Sequence, residues 1–154
     1  MKKSILILII TCGFLFIGCK GGTTTKQHAR PAGPPKSDVD FAKDVFQMLG
    51  DGNMDVADML DWENLKMVGV DVGAQYKSVT SDSSRETFQE SFLRGYSNSF
   101  KSSGGNAAGM KNWREQSKDA SNTVVAGDVP NGQTLLITVT HTNGVQYVSS
   151  LQIK

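Results

Sequence analysis

Apolar residues recur at helical spacing in the first two thirds of the chain and alternate with polar ones in the last third. Phe41, Val45, Met48 and Leu49 fall on one helix face, with Ala42 beside them. Ser37 or Asp38 can cap the start of this helix. Gly50-Asp51-Gly52-Asn53 ends it, and Asn53 can cap the next. Val56, Ala57, Met59 and Leu60 form a second, short stripe, which Trp62 and Leu65 are expected to continue to Gly69. Phe88, Phe92, Tyr96 and Phe100 are spaced by four, with Leu93 adjoining. Residues four apart stack on one helix face, so a third helix is expected behind a Ser81 or Ser84 cap. Gly95 interrupts that stripe's helix, and close approach of a neighbouring strand would explain it.

Beyond Met110 the period shortens to two. Strands are expected over 112–118, 123–129, 133–141 and 145–153, with turn-rich stretches between them. The last two form a hairpin around Asn143-Gly144. A regular two-residue loop would mix Leu135, Ile137 and Val139 with polar partners. A three-residue loop over 142–144 sets Val139 opposite Tyr147 and Leu135 opposite Leu151, giving one apolar face. That register puts His141 and Tyr147 on the inner face. The expected class is α+β: N-terminal helices packed on a curved antiparallel sheet of about four strands. One domain would occupy residues 38–154.

Upstream of this domain the pattern changes twice. Residues 20–37 contain no large apolar side chain and cannot bury enough surface to offset their ordering entropy, so they are expected to form a flexible tether. His28 lies there and is expected to be solvated. Before the tether, Lys2 and Lys3 precede an apolar run that reaches Leu15-Phe16-Ile17-Gly18-Cys19. The apolar run is too short for the roughly 20 residues a membrane-spanning helix needs. The arrangement resembles a bacterial lipoprotein signal, with cleavage between Gly18 and Cys19. The resemblance implies removal of residues 1–18, diacylglycerol on the Cys19 thiol, and a tether over 19–37. Two or three acyl chains hold a protein firmly where one does not. Lys20 stands where aspartate would suggest inner-membrane retention in enterobacteria. A bacterial envelope location follows, with the outer membrane favoured over the inner if the organism has one.

Loss of residues 1–18 would leave 14 basic against 15 acidic residues, a balance that argues against nucleic-acid binding. It would also remove Cys12, leaving only the lipidated Cys19, so disulfide and thiol chemistry are excluded from the domain.

The order of helices before strands, and the segment from Phe41 to Asp55 with its Gly-Asp-Gly-Asn turn, resemble the nuclear-transport-factor-2-like, or cystatin-like, fold. That resemblance implies a cone around a pocket. Enzymes of that superfamily place a carboxylate, histidine or tyrosine in the cone, which makes Tyr76, Tyr96, His141 and Tyr147 the acid–base candidates. Tyr96 shares the Phe88/Phe92 stripe, which favours packing. Trp62, Trp113, His141 and Tyr147 are the residues expected at a ligand pocket.

No catalytic set and no cofactor motif emerges. Counting from Asp51, an EF-hand loop would need glycine at the sixth position and glutamate at the twelfth, where Val56 and Trp62 stand, so no metal is expected. The expected function is therefore a lipid-anchored domain that binds an envelope protein, a peptide or a small apolar ligand without catalysis. The competing expectation is an isomerase- or hydrolase-like enzyme using a cone pocket.

Overall fold

The computed structural model describes residues 36–154. The signal, Gly18, Cys19, His28 and most of the tether lie outside these residues.

Helix α1, Asp38–Asp51, begins where the Ser37 hydroxyl accepts from the Asp40 amide at 3.1 Å. Asp38 and Asp40 in its first turn complement the helix dipole. It stops at Gly52, whose φ of 79° is left-handed and whose amide bonds back to Met48 at 3.0 Å. The Phe41, Ala42, Val45, Phe46 and Leu49 face is buried. A 3-10 helix, Met54–Met59, follows behind an Asn53 cap.

The expected helical continuation to Gly69 does not form. Leu60 bridges Val148 in parallel, and the Asp61 amide bonds to the Val148 carbonyl at 2.9 Å. Strand β1, Lys66–Met67, then pairs in parallel with the last strand. Val68 and Gly69, at φ of 46° and 82°, turn the chain into β2, Val70–Asp71. Two left-handed residues make a tight hairpin turn, which ended any helix. Helix α2, Val72–Ser78, was not foreseen, although an Asp71 cap and the i, i+4 pair Val72/Tyr76 mark it in the sequence. Helix α3, Asp82–Ser102, starts at the expected Ser81 cap.

Strands β3, Lys111–Lys118, β4, Asn122–Asp128, β5, Thr134–Thr142, and β6, Val145–Ile153, form an antiparallel meander close to the expected boundaries. Among the described residues the sheet has six strands, not about four. Its order is β2-β1-β6-β5-β4-β3, mixed because β1 runs parallel to β6, and it does not close on itself. The α+β class holds. Edge strand β3 carries two register shifts and exposed polar side chains, both of which discourage pairing with another chain.

The β5–β6 register corrects the three-residue loop. Thr142 pairs with Val145, so the loop is Asn143-Gly144, with both residues at positive φ. A β-bulge at Ser149 then restores the apolar face: Val139 opposes Val148 and Ile137 opposes Leu151, all buried. Face matching is satisfied by an extra residue within the strand rather than in the turn. As a consequence Tyr147 opposes Thr140 on the outer face, not the inner one.

α1 packs its apolar face on β3 to β6, and α3 packs on the far side of α1 and on the first 3-10 helix. The Ser97 hydroxyl donates to the Gly50 carbonyl at 3.0 Å, and the Phe46 and Phe100 rings meet edge-on at 5.6 Å. Close approach to α3 occurs at Gly50, where an added Cβ would lie 3.0 Å from the Phe100 ring. Gly95 faces open space instead, with nothing within 4 Å of an added Cβ. Gly95→Ala is therefore expected to raise stability by about 0.5–1 kcal/mol, read as a higher denaturation midpoint, because glycine is a poor helix former and alanine meets no obstacle.

Candidate functional site

Two features combine charge with tertiary placement. The first is centred on Asp38, in the first turn of α1, which is only 8% exposed. Its Oδ1 accepts from His141 Nε2 at 2.9 Å and from Gln146 Nε2 at 2.7 Å. Its Oδ2 accepts from the Thr123 hydroxyl at 2.6 Å and from Lys118 Nζ at 3.1 Å. One carboxylate thus ties α1 to all four strands of the meander. The same Gln146 amide nitrogen donates to the Lys36 carbonyl at 3.1 Å, fixing the chain just before the helix.

Burial would push the Asp38 carboxyl upward. The bonds from Thr123, Gln146 and Lys118 and the positive charge available to His141 outweigh it, and the pKa is lowered to about 2. Asp38 is therefore ionised and accepts only, which places the hydrogen of the shared bond on His141 Nε2. Four donors occupy its lone-pair directions. A carboxylate so engaged and so acidic is a poor proton acceptor at neutral pH.

The second feature is a groove of about 220 Å³ along α1. Met48 and Met59, both half-buried, supply its apolar surface over the buried Phe41, while Asp44, Gln47, Asp51 and Lys36 supply its polar rim. Lys36 already places its ammonium group on Asp44.

The four residues expected at one pocket are not brought together. Trp62 is buried among Tyr76, Phe88 and Phe92, with ring centroids 5.8–6.3 Å apart, and its indole N–H donates to the Ala57 carbonyl at 2.8 Å. Trp113 lies 6.2 Å from Phe46 and closes over Gly127. His141 belongs to the Asp38 cluster, and Tyr147 is on the other face of the sheet. None of the four lines the groove.

The remaining tyrosines are shifted away from neutrality. Burial raises Tyr76, against the lowering effect of Arg85, whose guanidinium carbon is 5.3 Å from the ring centre. Burial also pushes the Tyr96 hydroxyl well above its ordinary range. Among the described residues no cluster of three or more histidine, cysteine or acidic side chains has metal-holding geometry, and no helix is long and apolar enough to cross a membrane.

Sequence reasoning found His141 but missed the carboxylate it serves. The partners of Asp38 lie 80 to 108 positions away, and no local pattern joins them. The groove did leave a trace. Asp44, Met48 and Asp51 follow the i, i+4, i+7 spacing of one helix stripe. Comparison with known proteins adds no relative: no family model, no curated protein and no solved structure matches the chain.

Proposed function

We propose that this chain is a bacterial envelope lipoprotein, anchored through lipid on Cys19, whose domain acts by binding rather than by catalysis. The observation that carries the anchor is the Leu15-Phe16-Ile17-Gly18-Cys19 segment behind a basic, apolar leader. The nuclear-transport-factor-2-like fold belongs to the same proposal, supported by the order of helices before the β3–β6 meander.

Two considerations support binding over chemistry. Acid–base catalysis at neutral pH is best served by a group whose pKa lies near neutrality. Asp38 is displaced below that range, and Tyr76 and Tyr96 above it. The most enclosed polar cluster is also saturated by its own partners, whereas the groove on α1 is accessible. The outer membrane is the favoured location if the organism has one.

The test of the anchor is Cys19→Ala expressed in the native host or a related bacterium. The expected result is loss of signal processing and of acyl-chain mass, with the protein leaving the detergent phase. Unchanged mass and partitioning would overturn the lipoprotein reading. Crosslinking in intact cells followed by capture of the processed chain would then supply the partner.

A further inference from the structure

We propose that the groove along α1 is a docking site for a cationic, apolar-bearing peptide segment of a partner protein. This rests on the binding reading above and names its partner chemistry.

The shape comes first. The groove follows α1 from Phe41 to Asp51 with Met59 of the 3-10 helix on its other side. Ten residues of helix rise about 15 Å. An extended chain covers that length in about five residues at roughly 3.3 Å each. Met48 and Met59, both half-buried, offer apolar surface over the buried Phe41, and methionine adapts to side chains of differing shape.

Charge then selects the occupant. Residues 36–63 hold eight acidic side chains against two lysines, and seven of the eight are outside the saturated Asp38 cluster. Asp44 and Asp51 are on the rim, two turns apart on one helix face, and Asp55 and Asp58 are exposed on the adjoining 3-10 helix. Lys36 pairs with Asp44 and Lys101 donates to the Asp51 carbonyl at 2.8 Å, while Asp55 and Asp58 add negative charge beside them. A basic partner would be steered towards the face. The chemistry is already displayed once: Lys36 seats an ammonium group on Asp44 at the rim. A peptide with alternating basic and aliphatic residues would put its cations on Asp44 and Asp51 and its apolar side chains on Met48 and Met59. An acidic peptide would meet repulsion. A purely polar cation would gain charge contacts and leave the apolar surface wet.

The experiment uses the processed chain in mild non-ionic detergent and fluorescence anisotropy with three labelled hexapeptides. These are Lys-Leu-Lys-Leu-Lys-Leu, Lys-Ser-Lys-Ser-Lys-Ser and Glu-Leu-Glu-Leu-Glu-Leu. The first is expected to bind at least about tenfold more tightly than the other two, and to weaken as salt rises. Asp44→Asn with Asp51→Asn is expected to weaken it by about tenfold or more, while Glu86→Gln with Glu90→Gln, on exposed positions of α3, leaves it unchanged. Circular dichroism of both variants verifies that they are folded. Equal binding of the Lys-Ser peptide, equal loss in the α3 variant, or no binding of the Lys-Leu peptide would overturn the proposal. Preferential binding of the Glu-Leu peptide would overturn the cationic partner while leaving a binding domain in place. Removal of residues 20–35, which carry Lys20, Lys26 and Arg30, completes the test. A gain of more than tenfold in peptide affinity would identify the chain's own basic segment as the occupant and overturn the external partner.

Discussion

Asp38→Ala is expected to destabilise the domain by about 3–4 kcal/mol, the cost of leaving a fully buried hydroxyl unpaired and of losing the hydrogen bonds to a charged acceptor. The mutation deletes one side chain but strands several others. Thr123 is fully buried and has its hydroxyl aimed at Asp38, so it would be left without that bond. Gln146 and His141 would lose a charge-assisted acceptor, and α1 would lose its polar attachment to all four meander strands. Asp38→Asn keeps the shape but replaces an acceptor with a donor where four donors converge, so a smaller loss of about 2–3 kcal/mol is expected. Urea unfolding midpoints measure both.

The same residue sets an acid limit. Its folded pKa, about 2, lies below the ordinary 3.8, so ionisation is favoured in the folded state. The stabilisation is fully present above about pH 4 and is lost as pH falls towards 2. A depression of this size corresponds to about 2 kcal/mol. Unfolding curves across pH 2–6 are expected to show that loss in the native chain and a flatter profile in Asp38→Asn. A native chain with unchanged stability between pH 4 and pH 2 would contradict the assignment.

Gly73→Ala is the second large effect, with an expected loss of about 3 kcal/mol, at the upper end of the overpacking range. An added Cβ would sit 2.5 Å from the Glu63 carbonyl oxygen and 2.9 Å from its carbon. Both are backbone atoms, so no side-chain rotation relieves the contact. The Gly73 amide also bonds to the Leu65 carbonyl at 2.9 Å, holding the start of α2 against the turn that leads into β1. Separating the two would disturb Leu65 and Val72, both fully buried. Thermal unfolding of Gly73→Ala beside Gly95→Ala is a direct comparison: the same methyl is expected to destabilise at the first site and stabilise at the second.

The two glycines also show how far local pattern extends. Their sequence surroundings give no reason to treat them differently, and Gly95, within the aromatic stripe, was expected to be the crowded one. Crowding depends on what a distant segment places opposite. The 60–71 segment failed for a related reason. Leu60, Trp62 and Leu65 have spacing compatible with a helix, but β6 offers an unpaired edge, and Leu60, Asp61 and Val68 bond to it instead. An available strand edge outweighed a weak helical period. In the β5–β6 hairpin, the demand for one apolar face was correctly inferred, and two solutions met it. Asn143-Gly144 matches the twist of a two-residue turn so well that the extra residue went to Ser149.

The sequence by itself determined the anchor proposal, the helices α1 and α3 with their caps, the four meander strands and the α+β class. Those features depend on contacts among near neighbours or on composition, which a linear pattern records. The tertiary structure decided the parallel β1 strand, the face on which Tyr147 sits, the separation of Trp62, Trp113, His141 and Tyr147, and the Asp38 cluster. Each of these joins residues far apart in the chain, where pairing is selected by which buried donor, acceptor or strand edge is still unsatisfied once the core has formed.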